Sequence, residues 1–242
     1  MLAAGFVAGG VNTIVGSGSL LTFPTLLAVG YPPVLANVSN TVGLWPGSVS
    51  GVIGYRRELA GQLRRCLIFG SCATAGAVVG GLLLLKLPGS VFEAAVPALI
   101  LLACVLVAAQ PYLVRRMARA HPGNRGAVGY LGVFLTGVYG GYFGAAQGVI
   151  LIALLGIVLD DALQRLNGLK NVLAAIANVV AAALFVALTK VAWLPALLIA
   201  VSSIVGAQVG AAVGRRIPAQ VLRWTIVCVG TAVAILLFIQ NY

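Results

Sequence analysis

Two short stretches hold the residue types that could bind a ligand. "VGSGSLLTFP" (15–24) and "FGAAQGVILI" (143–152) set glycine, serine, alanine and glutamine inside otherwise aliphatic runs. Glycine weakens a helix and lets a ligand approach the main chain, so each stretch is expected to break one. A half-helix restarting at "GSGSLL" (16–21), with serines as N-caps, aims free N–H groups and the positive end of its dipole into the break. The restart at "GAAQGV" (144–149) does the same, and two such ends facing each other favour an anion. The expected anion-binding set is Asn12, Gly16, Ser17, Gly18, Ser19, Asn40, Gly144, Ala145, Gln147, Gly148, Lys170 and Asn171, with Ser17, Ser19 and Gln147 as side-chain donors.

Other chemistry lacks its residues. The four carboxylates, Glu58, Glu93, Asp160 and Asp161, all fall at the ends of apolar segments. No acid lies mid-segment, which argues against a cation substrate and against a carboxylate proton relay. The single histidine, His121, lies in a basic loop, and Cys66, Cys72, Cys104 and Cys228 stand singly in apolar sequence. No catalytic pair, metal site or cofactor site is expected. Polar residues recur at helical spacing as Asn37, Asn40, Thr41 and Ser48, and again as Asn167, Lys170, Asn171 and Asn178. They line a cavity or form an interhelical hydrogen-bond layer, and the spacing does not choose between the two. Lys170 either balances an anion or snorkels to the interface, and its nearness to Asp160–Asp161 slightly favours snorkelling.

The elements that position these residues are membrane segments. The chain has 242 residues, 61% hydrophobic and 8% charged, against about a quarter charged in soluble domains. Eight apolar runs are bounded by turns: Leu2–Val29, Val34–Tyr55, Cys66–Leu85, Val91–Leu113, Ala127–Leu159, Leu163–Leu188, Trp193–Val213 and Ala219–Gln240. The N-terminus has no basic n-region, so the first run is expected to belong to the mature fold. The net charge of +11 sits mainly in loops against anionic lipid, and no nucleic-acid partner is expected.

The chain also repeats. Phe6, Gly9 and Gly16 answer to Phe134, Gly137 and Gly144 at an offset of 128, and Gly76, Gly80 and Pro88 answer to Gly206, Gly210 and Pro218 at 130. Basic residues then decide how runs one and five sit. If all eight runs cross, nine basic residues fall on one side and six on the other. If runs one and five are re-entrant hairpins, thirteen of the fifteen share one face and only Lys86 and Lys190 lie opposite. The second split is what a cytoplasmic face looks like. A straight helix over 2–29 is also about 42 Å long, against a hydrocarbon core of about 30 Å. The expected fold is an all-α integral membrane protein of two inverted repeats, each a re-entrant broken-helix hairpin plus three transmembrane helices. One membrane domain covers 1–242: repeat 1 over 1–113, a cytoplasmic linker over 114–126, and repeat 2 over 127–242. Both termini are predicted outside.

The run "VGSGSLLTFPTLLAVGYPPVLANVSNTV" (15–42), its counterpart "FGAAQGVILIALLGIVLDDALQRLNGLKN" (143–171) and the two-half layout resemble the TauE/SafE family of sulfite exporters and related permeases, over essentially the full chain. The resemblance implies a secondary transporter for small sulfur-containing anions such as sulfite, sulfoacetate or other organosulfonates, and settles neither substrate nor direction. Together with the inverted repeats, the expected function is movement of such an anion across the cytoplasmic membrane by alternating access, with export the favoured direction. The family's breaks are glycine-rich, whereas position 17 here is serine and 145–146 are alanines. A passive anion channel is the alternative within transport. An intramembrane enzyme or a non-transporting assembly factor are alternatives of another class.

Overall fold

The computed structural model describes residues 1–117, 126–213 and, in the last run, 224, 227–228, 231–232 and 234–235. The linker with His121, and most of Ala219–Gln240, lie outside the described residues. The described chain is helical: α1 (Leu2–Ile14), α2 (Ser19–Ala28), α3 (Pro33–Gly54), α4 (Leu63–Lys86), α5 (Gly89–Met117), α6 (Gly126–Tyr142), α7 (Gln147–Val158), α8 (Leu163–Leu188) and α9 (Trp193–Val213). Four of these, α4, α5, α8 and α9, are long and apolar enough to cross a membrane. Their outer faces expose aliphatic side chains such as Leu67, Leu101, Val105, Leu194 and Val201, which suits lipid rather than water. The protein is an all-α integral membrane protein.

Runs one and five each break, and the reason is local. Gly16 and Gly144 take positive φ of 85° and 77°, a conformation that ends a helix and that glycine adopts without strain. In the second hairpin α6 and α7 run back along each other. A Cβ on Gly129 would meet Val158, one on Gly132 would meet Leu154, and one on Gly140 would meet Gln147. In the first, Gly18 folds back against Ala8 and Asn12. Both runs therefore return toward the end they entered from.

Polar loop contacts sort the ends. Asp161, in the α7–α8 loop, pairs with Arg65 at the start of α4 (2.5 Å) and with Arg165 (2.9 Å). Arg165 also donates to the Ala60 carbonyl, and Gln62 donates to the Arg165 carbonyl. The α3–α4 and α7–α8 loops thus share one basic face. At the opposite end Pro32, Val34 and Leu35 of α3 line a groove of about 730 Å³ with Leu188, Thr189 and Lys190. Burial pushes the Asp161 carboxyl up, but bonds from Arg65, the Ala162 N–H and Arg165 outweigh it, leaving its pKa below the ordinary carboxylate range. A lowered folded-state pKa gives stability that is present above the unfolded value and lost as pH falls through the folded one. Hydrogen exchange in 56–62 should therefore stay slow through mildly acidic pH and accelerate only below about pH 4, and Asp161→Asn should show the fast exchange at neutral pH.

The closest helix packing crosses between the first and second halves of the sequence. Gly76 and Gly80 of α4 sit on the backbone of Phe134 and Val138 in α6, while Gly206 and Gly210 of α9 sit on Phe6 and Gly10 in α1. Gly137 packs on Ala73, and Gly9 packs on Ser203. Any side chain at these positions would strike main chain, so helix axes approach as small residues allow in membranes. Gly43 and Gly47 bring α3 against α9 in the same way. The result is two interlocked groups, α1–α3–α9 and α4–α6, with α8 packed equally on α3 and α4 at the seam between them.

Candidate functional site

The two breaks touch. The Gly148 N–H donates to the Gly16 carbonyl at 3.0 Å, and the Cα atoms lie so close that a methyl on either would overlap the other. This draws the N-termini of α2 and α7 together inside the bundle. Serines were expected to cap α2. Instead its N-cap is Gly18, α7's is Ala146, and neither helix has a side-chain cap. The physical reason is that Gly18 already has helical φ and ψ, whereas a capping serine needs an extended backbone to reach forward. Among the described residues, the N–H groups of Ser17, Gly18 and Ser19 donate to no protein acceptor. The positive end of α2 is left available, whereas the first N–H groups of α7 are taken: Gln147 donates to the Gly144 carbonyl, Gly148 to Gly16 and Val149 to Ala146.

Side chains around α2 add directed donors. Ser17 is 1% exposed and its Oγ has no partner. Asn40, also 1% exposed, accepts the Thr22 hydroxyl at Oδ1 and leaves Nδ2 unpartnered. Such groups are costly to bury unless something satisfies them. Both can donate to an acceptor-rich ligand.

Lys170 does not snorkel. It is 1% exposed, and its Nζ donates to the Thr13 carbonyl at 3.2 Å, beside Asn171, which donates to the same oxygen at 3.3 Å. Proximity to Asp160–Asp161 in sequence misleads because α8 carries the side chain inward, under the C-terminus of α1. Thr13 O belongs to the negative end of that helix, which suits a cation. The ion pairs of Asp161 go to Arg65 and Arg165 instead.

The remaining expected residues divide. Asn12 donates to Ser48 Oγ at 3.1 Å, where Asn178 also donates at 2.9 Å, so this part of the polar stripes is a hydrogen-bond layer between α1, α3 and α8. Gly144 shapes the second turn, and the Ala145 carbonyl accepts the Tyr139 hydroxyl at 2.7 Å. Gln147, expected as a donor, folds back over Gly140 with only a long 3.5 Å contact to the Thr136 carbonyl. Its amide packs the hairpin instead of facing the other break. Phe23, Phe92, Tyr142 and Phe143 pack edge-to-face or tilted around the second break, with ring centroids 5.4–6.5 Å apart. Ala146 holds φ +59°, a left-handed conformation that costs a non-glycine residue about 1–2 kcal/mol. Ala146→Gly should raise unfolding stability by about 1 kcal/mol in chemical denaturation.

Sequence reasoning left Thr22, Tyr139 and Asn37 out of the site. Thr22 stands one turn after Gly18, and that spacing was its only signal. Tyr139 was a buried hydroxyl four residues ahead of the break. Asn37 belonged to the polar stripe and donates to the Tyr142 carbonyl at 2.9 Å, capping α6 as Lys170 and Asn171 cap α1. Among the described residues no cluster of His, Cys, Asp and Glu could hold a metal ion.

Known proteins match this chain along nearly its whole length. The family model described as sulfite exporter TauE/SafE matches residues 1–237. "Probable membrane transporter protein ORF9" of Sinorhizobium sp. is 28% identical over 97% of this chain and 90% of its own length. A "Probable membrane transporter protein" of Haemophilus influenzae is 28% identical over 87% of this chain and 82% of its own. "Probable membrane transporter protein YfcA" of Escherichia coli is 26% identical, covering 84% and 76%. No solved structure matches.

Proposed function

Because the chain belongs to the sulfite exporter TauE/SafE family and is a membrane transporter rather than an enzyme, we propose that it carries a small sulfur oxyanion or organosulfonate, such as sulfite or sulfoacetate, held between its two helix breaks. The carrying observation is the free N-terminus of α2, where the N–H groups of 17–19 have no acceptor, held against α7 by the Gly148–Gly16 hydrogen bond and beside the unpartnered Ser17 Oγ and Asn40 Nδ2. The free N–H groups, Ser17 Oγ and Asn40 Nδ2 all donate, and Lys170 brings a buried amine to the Thr13 carbonyl, three residues ahead of Gly16. Such a site rejects cations and suits an anion rich in acceptor oxygens.

The mechanism we assign is alternating access by a secondary transporter in the cytoplasmic membrane, working as an exporter. The matched glycine contacts at offsets of 128 and 130 support reading 1–113 and 127–242 as inverted repeats joined by a cytoplasmic linker. The basic face is then cytoplasmic and both termini lie outside. Motion divides the molecule between α1–α3–α9 and α4–α6, with α8 at the seam, because the glycine-close α1–α9, α3–α9 and α4–α6 interfaces leave no room to slide. The seam carries replaceable hydrogen bonds: Asn178 to Ser48, Lys170 to Thr13, Asn37 to Tyr142 and Asn167 to Tyr55. Lys190 beside the groove at the other end would steer anions there.

Radiolabelled sulfite or sulfoacetate flux in proteoliposomes tests the reading. A carrier gives saturable flux with counterflow. Steady unitary conductance in planar bilayers means a channel, and the absence of flux for every sulfur anion tried rejects the substrate class.

A further inference from the structure

We infer that the transported anion carries a hydroxyl hydrogen and that Asn37 is the residue that reads it. This rests on the transport reading above and concerns the same site. Three buried side-chain atoms near the breaks have no partner: Ser17 Oγ, Asn40 Nδ2 and Asn37 Oδ1. The first two can donate to an oxyanion. The third can only accept, and a bare oxyanion would be repelled by it.

The amide cannot simply turn round. Asn37 Nδ2 donates to the Tyr142 carbonyl at 2.9 Å, and a flipped amide would set two carbonyl oxygens against each other. Asn40 is held the opposite way, by the Thr22 hydroxyl at its Oδ1. Asn37 and Asn40 stand one turn apart on α3, so an acceptor and a donor are presented side by side at about 5–6 Å spacing. Both residues are 1% exposed. A ligand that satisfies both has acceptor oxygens at one end and a donor hydrogen nearby.

That hydrogen is on oxygen and not on an ammonium group. None of Glu58, Glu93, Asp160 and Asp161 is buried, and Lys170 already supplies a buried amine. An ammonium group on the ligand would be desolvated there with no buried carboxylate of the protein to receive it. The ligand class is therefore a hydroxylated sulfonate or a singly protonated sulfur oxyanion.

The test is competition with sulfite counterflow in proteoliposomes by 2-hydroxyethanesulfonate and by propane-1-sulfonate, which puts a methyl where the hydroxyl stands. The wild-type protein should be inhibited at about ten-fold lower concentration by the hydroxylated compound, since the methyl leaves Asn37 Oδ1 unsatisfied. Asn37→Met should bring the two within about two-fold. Equal potency on the wild type overturns the inference and leaves the transport reading standing. Discrimination that survives in Asn37→Met overturns the role of Asn37. If the wild type shows no sulfite counterflow at all, the transport reading fails and the inference fails with it.

Discussion

Lys170→Met is expected to lower anion flux by about a hundred-fold while leaving the protein folded. The flux term follows from removing a buried amine from the proposed anion site, which costs about 2–5 kcal/mol when the partner charge loses its complement. The folding term has the opposite tendency. Lys170 lies on α8 about one turn from Leu166 and from Leu173, all three buried, and its hydrogen bond goes to a neutral carbonyl. An apolar side chain of similar volume in place of a buried charge is commonly neutral or stabilising. Flux in proteoliposomes and thermal unfolding of the same preparation separate the two. A lysine that merely secured the end of α1 would give the reverse pattern, with a lower Tm and normal flux per folded molecule.

Alanine at Gly16 should be the most damaging single methyl in the first hairpin. An L-residue at φ +85° costs about 1–2 kcal/mol, and overpacking against the Gly148 backbone adds about 1–3 kcal/mol, for a total of about 2–5 kcal/mol. Three comparisons separate the contributions. Gly148→Ala has no positive φ and should carry only the packing cost. Gly30→Ala, at φ +94° with nothing near its Cβ, should carry only the backbone cost, as should Gly61→Ala at φ +76°. Chemical denaturation reads this ordering. Flux should vanish in Gly16→Ala and persist in Gly30→Ala, because only the former parts the Gly148 N–H from the Gly16 carbonyl.

The sequence made some of this legible and hid the rest for physical reasons. The ends of α8 and α9 coincide with the apolar runs Leu163–Leu188 and Trp193–Val213, because Pro, Gly and charge bound them sharply. The breaks were visible because glycine clusters are conspicuous in aliphatic sequence. What a break does with its donors was not visible. Serine at a helix start suggests a cap, yet whether Ser17 caps depends on the backbone angles of the next residue. Lys170 looked like a snorkelling residue because sequence records distance along α8 and not the presence of α1 over it. Gln147 has the right chemistry for a ligand, but Gly140 opposite makes a socket that takes its amide. The pairing of α1 with α9 and of α4 with α6 joins residues more than fifty positions apart, and one chain carries no local signal of it.

Selenite, the heavier analogue of sulfite, offers the most direct measurement. Crystals of the protein grown with selenite and measured at the selenium absorption edge should show one anomalous peak within hydrogen-bonding distance of Ser17 Oγ and Asn40 Nδ2, at the N-terminus of α2 beside Gly148. A peak bound elsewhere in the bundle, under conditions where selenite competes with transport, would contradict the placement of the anion between the two breaks.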